Sequence, residues 1–142
     1  METIKELLIK SELAINETWN KGNVDGALGA YADDVTYMDP MTEKMLVGKK
    51  EVEAYFRKFF EGKINIHRNN FLNEHVVVSN DESMAVISYN LNNYVLDENG
   101  NEKPGAKWNS TQVYRLINGV WKVVHVNWSF TQHPAVLQSM LS

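Results

Sequence analysis

The chain has 142 residues, enough for one domain with a sizeable core and too few for two of typical size, and with 44% hydrophobic and 23% charged residues, 3 Pro and 8 Gly it is globular, neither disordered nor fibrous. Its 14 basic against 18 acidic residues give a formal charge of −4, with no basic run longer than Lys49-Lys50, which argues against a nucleic-acid partner. The absence of cysteine excludes disulfides, thiolate nucleophiles and cysteine-ligated zinc or iron–sulfur sites, and fits a cytoplasmic location.

The segment from Ile4 to Trp19 predicts an amphipathic helix, because Ile4, Leu7, Leu8, Ser11, Ala14, Ile15, Thr18 and Trp19 keep helical spacing, with Thr3 and Glu6 as a capping box. Glu2 and Glu6 interrupt the apolar run a signal peptide needs, and no stretch of about 18 apolar residues predicts a membrane span. Lys21-Gly22-Asn23 ends this helix, and Val24 to Tyr31 predicts a second, shorter one that Asn23 can cap. A short strand at Val35 to Met38 leads into an irregular segment at Asp39 to Leu46. Gly48 opens a third helix carrying Val52, Tyr55, Phe56, Phe59 and Phe60, and Gly62 closes it.

From there the pattern becomes strand-like: Ile64 to His67, Phe71 to Val78, Met84 to Leu96, Lys107 to Ile117 and Val120 to Phe130 are rich in β-branched and aromatic residues. A long turn is expected at Asp97 to Gly105, and Asn118-Gly119 is the dipeptide preferred in two-residue hairpins. Helices first and long antiparallel strands after them predict an α+β domain over residues 1–142, with helices on one face of a curved meander. The tail, Thr131 to Ser142, is apolar enough to pack, as a terminal helix or as a partner contact.

Strict alternation along the last strand puts Trp121, Val123, His125, Asn127 and Ser129 on one face and Lys122, Val124, Val126, Trp128 and Phe130 on the other. The second set is too apolar for water, which predicts a homodimer packed through Val124, Val126, Trp128 and Phe130; the alternative cover is the tail folded back. The first set forms an apolar base with a polar mouth, the makings of a small-molecule pocket. Trp108, Ser110, Gln112 and Tyr114 share that parity on the preceding strand, and Ser88, Asn90, Asn92 and Tyr94 make a further polar series that would equally suit an exposed sheet edge. Asp39 and His125 are the candidates for proton transfer, while Asp39 before Pro40 also suits a turn and His125 could pair with a backbone carbonyl. His67, His75 and His133 lack metal-site spacing, and no phosphate loop or nucleophile elbow is present, so no metal or cofactor is expected.

The stretches Trp19-Asn-Lys-Gly-Asn-Val-Asp-Gly-Ala-Leu, Tyr31-Ala-Asp-Asp-Val-Thr-Tyr-Met-Asp-Pro, Val47-Gly-Lys-Lys-Glu-Val and Gly119-Val-Trp-Lys-Val-Val-His resemble the nuclear transport factor 2-like superfamily over about residues 5–133. That superfamily includes SnoaL-like cyclases, ketosteroid isomerases and the association domain of calcium/calmodulin-dependent kinase II. The resemblance implies a cystatin-like cone: a curved sheet around the N-terminal helices, a pocket at the open end, and dimers through the outer sheet face. In the isomerases the general-base aspartate stands where Asp39 stands here, whereas the positions of the two oxyanion donors look like Ile15 and Gln112. The ending Val113-Tyr-Arg-Leu-Ile-Asn-Gly-Val-Trp-Lys-Val-Val-His-Val-Asn-Trp-Ser is similar to that of the kinase association domain, with Asn127 and Trp128 in place of a His and an Arg. The resemblance thus implies a cofactor-independent isomerase or cyclase acting on a small organic ligand, with Asp39 or His125 as base and Tyr94, Trp108, Gln112 and Asn127 around the ligand. The alternative is a binding or assembly module without turnover.

Overall fold

In the computed structural model of the chain, which describes residues 1–141, the first helix, α1, covers Ile4–Asn20. Its capping box closes as expected: the Glu6 N–H donates to Thr3 Oγ1 at 3.1 Å and the Thr3 N–H to the Glu6 carboxylate at 3.4 Å. Helix α2 covers Asp25–Ala30, with the Asp25 N–H donating to Asn23 Oδ1 at 2.9 Å. The chain passes directly from α2 into β1, Tyr31–Met38, so the expected short strand starts earlier, at the buried Tyr31. The two-residue β2, Leu46–Val47, precedes α3, Lys49–Phe59, whose Val52 and Phe56 face the core.

The long strands are β3 (Arg68–Val78), β4 (Met84–Leu96), β5 (Glu102–Ile117) and β6 (Val120–Phe130). Residues 64–67, expected as strand, only lead into β3. The expected long turn after β4 is short, because Asp97 Oδ1 accepts from the N–H groups of Asn99 and Asn101, both at 2.9 Å, and closes the chain within a few residues. Asn118 and Gly119 make the β5–β6 hairpin with φ of 51° and 80°, the paired positive values a type I′ turn requires.

The six strands form one sheet in the order β2-β1-β6-β5-β4-β3. The meander β3 to β6 is antiparallel as expected, but β1 pairs with β6 in parallel, so the sheet is mixed. The three helices fill its concave side, where Leu8, Val24, Val52, Phe56, Ile87, Tyr114 and Val123 form the core. The tail carries a last short helix, α4, Pro134–Gln138, and its described residues are all exposed, so it packs neither on the core nor back over the sheet; Ser142 lies outside the described residues. Among the described residues no helix is long and apolar enough to cross a membrane.

One irregularity decides which side chains enter the cone. Val113 of β5 opposes His125 and Tyr114 opposes Val123, which leaves Val124 as an extra residue on β6. Such a bulge shifts the alternation by one position. Val123 and Val126 are therefore both fully buried on the concave side, followed by Trp128 and Phe130, while His125, Asn127 and Ser129 project from the convex side. This overturns the strict two-face reading of β6: beyond the bulge every side chain stands opposite to its expected face.

Candidate functional site

Beside the core, the sheet and helices enclose a cavity of about 140 Å³ that opens to solvent. Its walls are mainly apolar and include Trp19 from α1, Phe56 and Phe60 around α3, and Trp108 and Trp128 from the sheet. Trp19 packs on Phe56 and Phe60 with ring centroids 4.9 and 5.2 Å apart, while Trp108 meets Trp128 at 5.9 Å and Phe130 at 4.8 Å. Gly22 holds the helices together near the mouth: at φ +80° it lies so close to the Gly62 backbone and the Ile64 carbonyl that a Cβ would stand 3.2 Å from each.

Asp39, just beyond the end of β1, lies in the cavity lining. Its Oδ1 accepts from the N–H groups of Met41 at 2.8 Å and Thr42 at 3.1 Å, so it also organises the turn at Pro40. Two tyrosines converge on the same carboxylate: Tyr37 donates to Oδ2 at 2.8 Å, and Tyr55 bridges Oδ1 and Oδ2 at 2.8 and 2.9 Å. Burial, reinforced by the Asp39 carboxylate, pushes both tyrosine hydroxyls well above their ordinary range, so they remain donors.

Gln112, also in the lining, is buried, with Nε2 donating to Ser110 Oγ at 3.3 Å and Oε1 without a partner. Trp108 Nε1–H donates to Asn93 at 2.7 Å, and the chain continues from Asn93 to Asn69 at 2.7 Å and from Asn69 to Asn20 at 3.1 Å. Asn16, Asn20 and Asn93 all reach the lining. The site is thus a largely apolar chamber whose lining also carries the Asp39 carboxylate, the Tyr37 phenol and the amides of Asn16, Asn20, Asn93 and Gln112.

The profile of the SnoaL-like domain family matches residues 13–126 of this cone. The chain belongs to the SnoaL-like domain family. Among solved structures it is similar to a proposed ketosteroid isomerase from Parabacteroides distasonis, at 26% identity over 92% of this chain and 90% of that one, with a TM-score of 0.77. It is likewise similar to the association domain of calcium/calmodulin-dependent kinase II from Caenorhabditis elegans, at 19% identity over 88% and 94% of the chains and a TM-score of 0.74. A protein of unknown function from Nostoc punctiforme, described as having a cystatin-like fold, gives 16% identity over 92% and 95% and a TM-score of 0.72. No curated protein sequence matches the chain at a significant level.

In this SnoaL-like cone the expected site residues separate. Asp39, Trp108 and Gln112 meet in the cavity. His125 does not: it sits on the convex side, with Nδ1 2.7 Å from Thr36 Oγ1. Asn127 is exposed on the same side, because the bulge at Val124 precedes both. Tyr94 pairs with Arg68 on the convex side of β4 and lies beneath its guanidinium, 4.1 Å from the ring centre. The expected dimer contacts change as well. Val126 is wholly buried, Trp128 lines the cavity, and Phe130, 40% exposed, packs against Trp108 on the concave side, while Val124 is the half-buried extra residue of the bulge.

The structure adds groups that the pattern reading passed over. Tyr37 and Tyr55 are one: the spacing of Tyr37 and Asp39 puts them on one face of a strand, but only the fold brings Tyr55 of α3 to them. Glu12 and Asn16 are the other. They follow Leu8 at four-residue steps, which places them in the centre of the buried stripe of α1, while Leu7 and Leu13 are exposed. A carboxylate in the middle of an apolar stripe was the available signal. Among the described residues no cluster of three or more metal-ligating side chains is present.

Proposed function

We propose that the cone binds a small, mostly apolar molecule bearing a carbonyl, and that Asp39 acts on it as the general base of a cofactor-independent isomerisation or cyclisation. The observation that supports this reading is the placement of the Asp39 carboxylate in a cavity walled by apolar and aromatic side chains, with the buried Gln112 in the same lining. A base at Asp39 removes a proton from a carbon next to the carbonyl, the electron pair moves onto the carbonyl oxygen, and the proton returns at another carbon. Four donor groups already fill the carboxylate, so an oxygen becomes free only when Tyr55, which spans both, turns away. The released Tyr55 hydroxyl, or the NH2 of Gln112, then offers a donor to the oxyanion. His125 has no part in this scheme, since it stands on the other side of the sheet.

The test uses a simple β,γ-unsaturated cyclic ketone, whose conversion to the conjugated isomer is read by ultraviolet absorbance. Binding is read separately, by quenching of Trp19, Trp108 and Trp128, which line the cavity. The expected result is conversion by the wild type, with Asp39→Asn still binding and no longer converting. Undiminished conversion by Asp39→Asn would overturn the base; a ketone that neither quenches nor reacts would overturn the ligand class.

The convex face supports a homodimer of a different composition from that expected. By the register Val77, Val86 and Val113 share this face with His125 and Asn127, and Val77 is 57% exposed. Val113→Lys is expected to lower the sedimentation coefficient to that of a monomer, and an unchanged coefficient would refute this face as the contact.

A further inference from the structure

Two asparagines of α1 take no part in the scheme above, yet both stand in the cavity lining: Asn16, only 7% exposed, and Asn20, half-buried at the last position of the helix. Each has one half of its amide bonded within the protein, and the partners fix which half that is. Asn16 Nδ2 donates to the Glu12 backbone carbonyl at 2.9 Å and to the Tyr89 hydroxyl at 3.2 Å, whose own proton goes to Glu12 Oε1 at 2.6 Å. A backbone carbonyl only accepts, so the NH2 of Asn16 is held there and Oδ1 is the half left over.

Asn20 is oriented through a longer chain. The Trp108 indole only donates, and its proton goes to Asn93 Oδ1 at 2.7 Å; Asn93 Nδ2 donates to Asn69 Oδ1 at 2.7 Å, and Asn69 Nδ2 to Asn20 Oδ1 at 3.1 Å. Every amide passes on the same polarity, so the Asn20 NH2 is left as a free donor. Among the described residues that are not exposed, Gln112 Oε1 is the one side-chain N or O atom both sealed from solvent and without a partner, so Asn16 Oδ1 and Asn20 Nδ2 open on free space.

Four positions apart on one helix, the two side chains are neighbours, with Cβ atoms about 5 to 6 Å apart. An acceptor and a donor at that spacing are bridged by a single hydroxyl oxygen about 2.8 Å from each. A ligand carbonyl or ether in the same place uses Asn20 and leaves the nearly buried Asn16 oxygen unpaired, and a carboxylate adds repulsion from that oxygen. We infer that Asn16 and Asn20 form a subsite for a hydroxyl group of the ligand, which donates to Asn16 Oδ1 and accepts from Asn20 Nδ2, with Asn69 and Asn93 as positioning residues. Taken with the binding role proposed above, on which its place in the cavity rests, this narrows the ligand to an apolar molecule that carries a hydroxyl in addition to its carbonyl.

The test titrates the isotope-labelled protein with cyclohexanol and with cyclohexanone and reads binding by NMR from the indole N–H resonances of Trp19, Trp108 and Trp128; Trp121, outside the lining, is the control. Two variants are compared with the wild type. Asn20→Leu removes the donor. Asn69→Asp takes nothing from the cavity lining, but the carboxylate it introduces has no proton to give, so the Asn20 amide turns its NH2 toward β3 and presents its oxygen instead. Both variants are expected to bind the alcohol roughly three- to tenfold more weakly, the worth of one neutral hydrogen bond, and the ketone, whose donor in the scheme above is Tyr55 or Gln112, within about twofold. Loss of the alcohol alone is a result that a merely structural defect at Asn69 does not produce.

Alcohol binding unchanged in both variants, or lost together with ketone binding, would overturn the subsite and leave the ketone reading standing. A loss in Asn20→Leu without one in Asn69→Asp would refute the positioning chain. Asn16 and Asn20 also line a second hollow, together with Leu13 of α1 and Phe71 of β3. An alcohol that moves the backbone amides of Leu13 and Phe71 and no indole would therefore remove the subsite from the cavity. Binding of the alcohol without the ketone would keep the subsite and overturn the carbonyl-bearing ligand, and a wild type that binds neither would overturn both.

Discussion

Replacing Glu12 by Gln tests the electrostatics of the cone base without removing its packing. The wild-type carboxyl titrates at about 7 in the fold and at 4.5 when free in water, so between these values the folded chain holds a proton that the unfolded chain has released. The stabilisation this represents is complete below about 4.5 and is lost as the pH rises through about 7, because above that the fold must bury a carboxylate. The gap amounts to about 3 kcal/mol. Glu12→Gln carries a neutral group of the same shape and lacks this dependence. It is expected to match the wild type within about 1 kcal/mol near pH 5, since a rearranged hydrogen bond is worth no more, and to exceed it by about 3 kcal/mol near pH 9. Urea unfolding followed by tryptophan fluorescence across the pH range gives both curves. A difference that stays flat with pH, or a wild type that gains on the variant as pH rises, would refute a buried, strained carboxyl at this position.

Trp128→Ala removes one wall of the cavity; we expect a loss of about 2 to 3 kcal/mol in stability and weaker quenching by ketones, with the sedimentation coefficient unchanged. Dissociation with ligand binding intact would place Trp128 on the convex face after all. Gly22→Ala forces a Cβ against the Gly62 backbone and the Ile64 carbonyl at a positive φ, and is expected to cost about 1 to 3 kcal/mol in thermal or chemical unfolding, far more than Ala at the open Gly29. His125→Ala should leave ketone conversion and quenching as in the wild type, and a loss of conversion greater than about tenfold would return His125 to the site.

Local chemistry was legible in the sequence wherever one residue's preference settles the matter. Thr3 and Glu6 cap α1 because each supplies what the other's N–H lacks, and Asn118-Gly119 turns because both tolerate positive φ. Asp39 stood out through its neighbours and indeed reaches the cavity, but its tyrosine partners come from different elements, Tyr37 two residues away on β1 and Tyr55 on α3. Glu12 was hidden by the assumption that a buried stripe is apolar. Nothing local shows that Tyr89 and Tyr114, on β4 and β5, wait to receive it.

The sequence by itself determined the helices, the hairpin and the general form of a helix-filled curved sheet, since capping, turn geometry and side-chain period act over a few residues. Only the tertiary structure decided which side of the sheet each residue of β6 faces. A period of two keeps no memory across an inserted residue, and the insertion at Val124 exists only in the pairing of β6 with β5. That single step moved His125 and Asn127 out of the cavity and brought Val126 and Trp128 to the inner side, where the packing of the cone, not the pattern of the strand, sets the site.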